Sequence, residues 1–162
     1  MDIHFVPMTR ELMHAFFRQL VYDPATFAEP VAFREYIYDP DCVDAYFDKH
    51  LHQGKVHFAI VRKDTVIGDL YFKHITESER SCEISIYLVN DTVKSKGYGT
   101  FSEVFALNHA FSVMHMKTVT AKALIKNTRS CHVLEKAGFR RFHSDSVYHY
   151  YRCHSTDWRE QP

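Results

Sequence analysis

Three strand-like segments follow one another between residues 56 and 89, and a helix-like segment comes directly after them. Their sequences, VHFAIVRK, VIGDLYFKHI and SCEISIYLV, are rich in β-branched and aromatic residues, which favour strands. The polar turns between them, at residues 63–65 and 76–80, are short enough to connect antiparallel neighbours. Any fold for this chain must therefore contain an antiparallel meander that leads into a helix.

The segments on either side of the meander alternate between helical and strand-like patterns. Apolar residues at helical spacing, such as Leu12, Phe16 and Leu20, predict amphipathic helices. The patterns predict a strand at 3–8, helices at 10–21 and 41–52, the three strands, a long helix after residue 96, a strand at 118–125, a helix at 128–136, and strands near 140–143 and 147–153. A helix after the third meander strand permits one crossover to a parallel neighbour. We therefore expect one α/β (α+β) domain over residues 1–162, with a mixed, mostly antiparallel, twisted sheet of about seven strands flanked by about four helices.

Composition excludes several classes of protein. Twenty Lys and Arg balance twenty Asp and Glu, so the chain lacks the basic field of a nucleic-acid-binding protein. No apolar run approaches the roughly 20 residues that a membrane-spanning helix needs, so we expect no membrane partner. The four cysteines are widely spaced without a Cys-x-x-Cys pair, and residues 1–11 do not resemble a secretory signal. These features predict a cytoplasmic protein with reduced thiols.

The segment most informative about function is KSKGYGT, at residues 94–100. It contains two of only five glycines, Gly97 and Gly99, between a predicted strand and a predicted helix. Glycines let successive backbone N–H groups turn toward one centre, and a helix start adds unsatisfied donors and a positive dipole end. Such a nest suits a diphosphate, and Lys94 and Lys96 add positive charge beside it. The spacing is neither that of a nucleoside-triphosphate loop nor Gly-x-Gly-x-x-Gly.

Two motifs in this order resemble signatures of the GNAT superfamily of N-acetyltransferases. The first, from Lys94 to Gly99, is similar to Gln/Arg-x-x-Gly-x-Gly/Ala, with Lys94 in place of the usual Gln or Arg. Lysine keeps the charge of arginine but loses its planar fork. The second, NTRSCHVLEKAGF at residues 127–139, is similar to the superfamily's Asn-x-x-Ser/Ala helix that ends in Gly-Phe. The resemblance is sharpest over residues 82–139 and closest to the branch of ribosomal-protein N-terminal acetyltransferases.

The resemblance implies a fold, a co-substrate and a set of cofactor-binding residues. The sheet would splay between its fourth and fifth strands, and the pantetheine arm of acetyl-CoA would lie in the gap like a short extra strand. Asn127 and Ser130 would face the thioester end of the cofactor. The cofactor-binding residues that the resemblance implies are Tyr87, Leu88, Val89, Lys94, Ser95, Lys96, Gly97, Tyr98, Gly99, Thr100, Asn127 and Ser130.

Acetyl transfer to an amine needs a deprotonated nucleophile and a positioned thioester. A primary amine with a pKa of roughly 10 is mostly protonated at pH 7, so a base is required. We expect direct attack through a tetrahedral intermediate, without an acyl-enzyme. Strand alternation places Glu83 beside the expected cleft together with Ser85 and Tyr87, so Glu83 is the candidate catalytic base, acting through water. The alternative is that Glu83 is a solvated or ion-paired strand carboxylate.

The candidate catalytic acid is Ser130. Many members of the superfamily have a tyrosine on the last helix at the position that Leu134 occupies here, so that acid is absent. Ser130 can donate a proton to the leaving thiolate. Alternatively, its hydroxyl simply caps the helix or hydrogen-bonds to a backbone carbonyl oxygen of the same helix. Tyr148, Tyr150 and Tyr151 on the last strand are alternative acids, and packing is their competing role.

The resemblance implies that the acceptor amine binds beside the loop and helices that include residues 27–46. Aromatic residues precede and enter the second helix, and they are interspersed with acids that suit a cationic amine. These residues are Phe27, Phe33, Tyr36, Tyr38, Tyr46, Glu29, Glu35 and Asp39. A small-molecule amine and a peptide N-terminus both fit this pattern. We expect no metal, because the twelve histidines form neither His-Glu-x-x-His nor a zinc-type Cys/His spacing.

Two other classes of protein are compatible with the sequence. A module that binds acyl-CoA as a sensor, without turnover, would explain Leu134 at the acid position. An interaction domain with no cofactor would gain no stability from coenzyme A. The aromatic content of 15% also supplies material for an interface, and the resemblance is compatible with a homodimer.

Overall fold

The computed structural model describes residues 1–29 and 34–159. In these residues the chain forms seven strands and four α-helices in the predicted order. The strands are β1 (His4–Pro7), β2 (Val56–Arg62), β3 (Thr65–Thr76), β4 (Ser81–Leu88), β5 (Thr118–Leu124), β6 (Arg140–Ser144) and β7 (Tyr148–His154). The helices are α1 (Arg10–Gln19), α2 (Pro40–His52), α3 (Tyr98–Asn108) and α4 (Thr128–Ala137).

Three helical features differ from the predicted pattern. α1 ends at Gln19 rather than near residue 21, because Leu20 is already extended, with φ −66° and ψ 125°. A short 3-10 turn, Pro24–Thr26, follows it. The long helix predicted after residue 96 consists of α3 and a π-helical turn over His109–Val113. None of the described helices is long and apolar enough to cross a membrane.

The seven strands form one mixed sheet in the order β1-β2-β3-β4-β5-β7-β6. Neighbouring strands are antiparallel except β4 and β5, which run parallel. β4 and β5 pair only through Ser81–Glu83 and Thr118–Thr120, and the two strands diverge beyond these residues. The predicted fold class, with its splay between the fourth and fifth strands, is confirmed.

Apolar clusters cover both faces of the sheet, because alternate residues of its inner strands point to opposite sides. Leu70 and Phe72 of β3 belong to the larger cluster, which includes residues of α3 and α4. A second cluster joins Phe16 of α1 to Val61 and Val66. Since Ser85 and Tyr87 alternate with the buried Ile84, they lie on the same side of β4 as α1. This side of the sheet carries the polar groups described next.

Candidate active site

A cleft of about 300 Å³ opens where β4 and β5 diverge. A smaller cavity of about 110 Å³ adjoins it near the start of α3. Several residues of the predicted site line one or both of these spaces, namely Glu83, Tyr87, Leu88, Lys94, Gly99, Asn127 and Ser130. The gap in the sheet and the glycine-containing turn are therefore parts of one surface.

Strand alternation directs backbone amides of β4 into the cleft. The amide of Val89 donates to the Ile67 carbonyl oxygen on the β3 side at 3.0 Å. Because successive residues of a strand face opposite neighbours, the amides of Ile86 and Leu88 face the gap left by β5. Among the predicted residues Tyr87, Leu88 and Val89, Leu88 is thus the one whose amide is directed at the gap. An extended chain lying there would find a strand edge to bond.

The glycine-containing turn enters α3 with the geometry of an anion site. Ser95 and Gly97 have positive φ values of 59° and 85°, and Gly97 is the N-cap of α3 with no side-chain cap hydrogen bond. The Phe101 amide donates to the Gly97 carbonyl oxygen at 3.0 Å. The amides of residues 98–100 precede this bond and are left for an acceptor outside the helix. The Tyr98 side chain is buried in the core, so this residue offers its amide alone.

Lys94 is held by carboxylates beside the turn. Its Nζ atom lies 2.8 Å from Asp23 Oδ2 and 3.3 Å from Asp91 Oδ1, and its side chain is 12% exposed. Asp91 also contacts Arg129 Nη1 at 3.3 Å. Lys96, in contrast, is exposed and forms no ion pair with a described residue. The charge available to a ligand at this end of the cleft therefore comes from Lys96 and Arg129 as well as from Lys94.

The second sequence motif fixes both ends of α4. Asn127 is the N-cap, and its Oδ1 atom accepts from the Ser130 amide at 3.1 Å. Gly138 ends the helix with φ 107°, a left-handed conformation that favours glycine. Phe139 then enters the core at 3% exposure. The motif thus sets where α4 begins beside the cleft, and it leaves the hydroxyl of Ser130 on the cleft wall.

Glu83 lies where β4 and β5 separate and contacts a lysine and a histidine side chain. Its Oε1 atom is 3.1 Å from Lys73 Nζ, and its Oε2 atom is 3.0 Å from His74 Nδ1. The carboxylate is 17% exposed and lines the cleft. The sequence left two alternatives for Glu83, a cleft-facing base and an ion-paired carboxylate. In the structure Glu83 both lines the cleft and forms an ion pair with Lys73.

The candidate proton donors differ in their access to the cleft. Ser130 and Tyr148 line it. Tyr150 and Tyr151 instead donate their hydroxyls to carboxylates elsewhere, at 2.7 and 3.2 Å. Leu134, at the position of the superfamily's tyrosine, is 2% exposed and belongs to the core.

Glu103 of α3 was not singled out from the sequence, yet it lines both the cleft and the adjoining cavity. It is 7% exposed, and its Oε2 atom has no hydrogen-bond partner in the described part of the chain. Burial raises the pKa of Glu103 to about 8. At neutral pH it is therefore a protonated acid, which can donate a hydrogen bond into the cleft.

A second cavity, of about 340 Å³, lies between α1, α2 and the same face of β3 and β4. We call it the aromatic cavity, because its walls include Phe17, Tyr22, Tyr36, Tyr46, Tyr71 and Tyr87. Ser85 and Tyr87 line both the aromatic cavity and the cleft. The two spaces therefore meet along β4, close to where its pairing with β5 ends.

One carboxylate, Asp69, lies in the wall of the aromatic cavity. Its side chain is 6% exposed, and its Oδ2 atom is 3.2 Å from His57 Nε2. Its Oδ1 atom is buried without a hydrogen-bond partner among the described residues. His57 Nδ1 lies 3.3 Å from His50 Nδ1. The sequence signal was an acid inside the apolar strand VIGDLYF.

The aromatic and acidic residues predicted for the acceptor side are distributed unevenly. Tyr36 and Tyr46 line the aromatic cavity, and Phe27 stacks edge-on against Tyr22 of its wall. Tyr38 bonds His14 at 2.8 Å instead. The acids do not line the cavity: Glu29 and Glu35 are exposed, and Asp39 caps α2. Phe33 lies outside the described residues.

The residues that the structure describes contain no group of three or more His, Cys, Asp or Glu side chains arranged to hold a metal. The residues present do fit a coenzyme A molecule. Backbone amides of β4 face the gap, and the first backbone amides of α3 have no side-chain cap. Glu103 also has a buried carboxyl oxygen without a hydrogen-bond partner among the described residues.

Comparisons with known proteins identify the family. The sequence model of the Acetyltransferase (GNAT) domain matches residues 2–140. A comparison with curated protein sequences gives no match. A spermidine N-acetyltransferase from Vibrio cholerae in complex with CoA and spermine has a similar structure, with a TM-score of 0.75 at 15% identity over 96% of this chain and 97% of that one. A probable acetyltransferase has a TM-score of 0.77 at 13% identity over 97% and 95% of the two chains. At such identities the structural likeness shows the fold alone. The family model covers most of the sequence, and the chain therefore belongs to the GNAT acetyltransferase family.

Proposed function

We propose that this protein transfers an acetyl group from acetyl-CoA to a primary amine, with the cofactor in the β4–β5 cleft and the amine in the aromatic cavity. The observation that carries the proposal is the junction of the two spaces at Ser85 and Tyr87. Transfer requires the thioester and the amine to approach within reacting distance. A junction on the open edge of β4 supplies such a place.

The cofactor side of the proposal uses main-chain groups. The uncapped amides of residues 98–100, with the positive end of the α3 dipole, suit the diphosphate of coenzyme A. The cleft-facing amides of Ile86 and Leu88 suit the amides of its pantetheine arm. Lys96 and Arg129 add charge beside the phosphates. The bound cofactor supplies the acetyl group as a thioester.

For the acid–base chemistry we propose the two residues expected from the sequence. Glu83 accepts a proton from the ammonium through a water molecule, so that the neutral amine can attack directly. A new C–N bond forms and the C–S bond breaks. The attacking nitrogen gives its second proton to solvent water, and the departing sulfur takes one from the Ser130 hydroxyl, which recovers a proton from that water. Replacement of Glu83 by Gln is expected to lower kcat with little change in coenzyme A affinity; unchanged turnover would remove Glu83 from this role.

The acceptor is proposed to be a small-molecule amine. One structural neighbour is a spermidine N-acetyltransferase seen with spermine, and the aromatic cavity is large enough for a small ligand. The resemblance to ribosomal-protein N-terminal acetyltransferases favours a peptide N-terminus as the second candidate. The cavity, walled by α1 and α2, fits the small molecule better.

We also propose a cellular location and an oligomeric state for the protein. All four cysteines are free thiols, which supports a reducing, cytoplasmic setting. A dodecameric spermidine N-acetyltransferase is among the structural neighbours, which supports self-association, with a homodimer as its simplest form. Sedimentation of the purified protein measures this directly.

The test of the proposed function is a two-stage assay. Coenzyme A at 100 times its dissociation constant should stabilise the protein by about 2.7 kcal/mol in thermal melts. Acetyl-CoA should then release free thiol when amines are supplied from a panel of arylalkylamines, polyamines and peptides. Binding without thiol release from any amine would favour the sensor module instead. Absence of binding would favour an interaction domain.

A further inference from the structure

We propose that the aromatic cavity selects an acceptor with one ammonium group on a compact apolar body, and that Asp69 binds this ammonium. The inference rests on the proposed function, because it names the substrate class for the same site. Three observations support the inference: the buried carboxylate of Asp69, the aromatic walls of the cavity, and the position of the cavity beside the β4–β5 cleft.

The first step is the unpaired oxygen of Asp69. A buried carboxylate is unfavourable unless its oxygens are hydrogen-bonded or paired with a cation. Asp69 has one such partner at Oδ2, and its Oδ1 atom has none in the described part of the chain. Asp69 lines the aromatic cavity, and a small rotation of its carboxylate would present this oxygen to an ammonium group there, which would supply the missing donor and the missing positive charge.

The second step is the way in which two histidines hold Asp69. With Asp69 as the acceptor that the proposal requires, His57 Nε2 is the donor across the 3.2 Å contact. The other nitrogen of this ring faces His50 at 3.3 Å. Burial, with the positive charge of Lys55, lowers the pKa of His50 to about 4. His50 is therefore neutral at pH 7 and can exchange a hydrogen bond with His57, which fixes the ring that positions Asp69.

The third step is the aromatic wall. Five tyrosines line the cavity, namely Tyr22, Tyr36, Tyr46, Tyr71 and Tyr87. Their π-faces attract a cation and also pack against an apolar body. Burial, together with neighbouring Tyr22, raises the pKa of Tyr36 to about 12, so its phenol stays neutral and adds no second anion.

The fourth step is charge and size. Asp69 is the only charged residue among the described residues that line the cavity. A second or third ammonium, as in a polyamine, would enter an apolar wall without a carboxylate partner. A volume of about 340 Å³ corresponds to roughly 11 water molecules at about 30 Å³ each. This space suits an amine with about ten non-hydrogen atoms.

The fifth step is position. Asp69 pairs with Tyr87, and Tyr71 pairs with Ser85, across β3 and β4. Neighbouring strands lie about 4.8 Å apart. An ammonium at Asp69 is therefore about one strand from β4, whose far edge borders the cofactor cleft. The bound amine needs only a short movement past Tyr87 to reach the thioester.

The test compares three probes in calorimetric titrations of the protein saturated with coenzyme A. 2-Phenylethylamine carries one ammonium on an apolar body, 2-phenylethanol is its neutral counterpart, and spermidine carries three cationic groups. We expect 2-phenylethylamine to bind at least about tenfold more tightly than 2-phenylethanol, which corresponds to one charge-assisted hydrogen bond. We also expect it to bind more tightly than spermidine. Equal affinity for the alcohol, or a preference for spermidine, would overturn the proposal.

Variants locate the effect at Asp69. Asp69→Asn should lose about tenfold in affinity for 2-phenylethylamine and leave 2-phenylethanol nearly unchanged. Glu35→Gln removes an exposed acid outside the cavity and should change neither affinity. If Asp69→Asn does not fold, Tyr36→Leu removes one aromatic wall and should weaken amine binding several-fold. Unchanged amine affinity in a folded Asp69→Asn or Tyr36→Leu protein would contradict the proposal.

These readouts separate the inference from the proposed function. Binding of 2-phenylethylamine that depends on Asp69, without acetyl transfer to any amine, would contradict the function and retain the inference. Efficient acetylation with spermidine as the best acceptor would retain the function and overturn the inference.

Discussion

Asp69 and Tyr87 lie directly opposite each other on the neighbouring strands β3 and β4. Asp69 lines the aromatic cavity, whereas Tyr87 lines both that cavity and the β4–β5 cleft. The Tyr87 hydroxyl also accepts a hydrogen bond from the Asp23 amide at 3.1 Å, which ties the loop after α1 to the junction. The pair therefore marks the boundary across which the acetyl group would pass.

The turn before α3 is tested by a pair of glycine substitutions. Gly97 and Gly54 both have positive φ, 85° and 61°, so alanine at either should cost about 1–3 kcal/mol of stability through backbone strain. Only Gly97 lies at the proposed diphosphate site. We expect Gly97→Ala to weaken coenzyme A binding at least about tenfold, and Gly54→Ala to leave the affinity unchanged. Equal affinities of both variants in titration calorimetry would contradict the diphosphate site.

Two lysines of the same turn should respond differently to removal. Lys94 is paired with Asp23 at 2.8 Å and is largely buried, so Lys94→Met should lower the free energy of unfolding by about 1–3 kcal/mol. Lys96 is exposed, so Lys96→Met should leave stability unchanged. It should weaken coenzyme A binding a few-fold, and more at low salt, where a Debye length of about 30 Å leaves surface charges unscreened.

Denaturant unfolding and coenzyme A titration of both lysine variants measure this contrast. Asp23→Asn combined with Lys94→Met should show an interaction energy in a double-mutant cycle. Full stability of Lys94→Met would contradict the structural role of its ion pair.

Glu103 should make stability depend on pH. In the folded protein it keeps its proton up to a pH of about 8, because burial raises its pKa from 4.5. The unfolded chain loses this proton near pH 4.5, so folding takes up a proton between these two values. The contribution of Glu103 is therefore full below pH 4.5 and is lost as the pH rises toward 8, by at most about 1.4 kcal/mol per pH unit.

The Glu103→Gln variant should flatten this part of the pH profile. Free energies of unfolding from urea titrations at pH 5, 6, 7 and 8 give the comparison, with wild-type protein as the reference. The difference between the two proteins should shift steadily in favour of Gln as the pH rises. A difference that stays constant over this window would show that Glu103 titrates normally in the folded state.

The strands and the divergence of β4 from β5 were predictable because their signals are local. Alternation in VHFAIVRK and SCEISIYLV sets the faces of two strands, and Gly97 and Gly138 mark the ends of two helices through their backbone conformations. The motifs that contain these glycines indicated the family that the sequence match confirms. The narrower assignment to the ribosomal-protein branch stays a prediction.

The ion pair of Lys94, the surroundings of Asp69 and the burial of Glu103 could not be predicted, because their contacts join distant parts of the chain. The Lys94 ion pair with Asp23 spans 71 residues of sequence, so Lys94 appeared free for phosphate. Asp69 appeared as one polar residue in an apolar strand, and only the assembled sheet brings His57 to it. Glu103 lies on a helix whose neighbouring residues are apolar or small, and its burial depends on how α3 packs under the sheet.

The most direct test of the central claim is a crystal structure of the protein with coenzyme A. We predict that the diphosphate lies within hydrogen-bond distance of the amides of residues 98–100, and that the pantetheine arm bonds the amides of Ile86 and Leu88. Its sulfur should end beside Ser85, at the mouth of the aromatic cavity. A coenzyme A molecule bound elsewhere, with the β4–β5 gap filled by the protein's own side chains, would contradict the account.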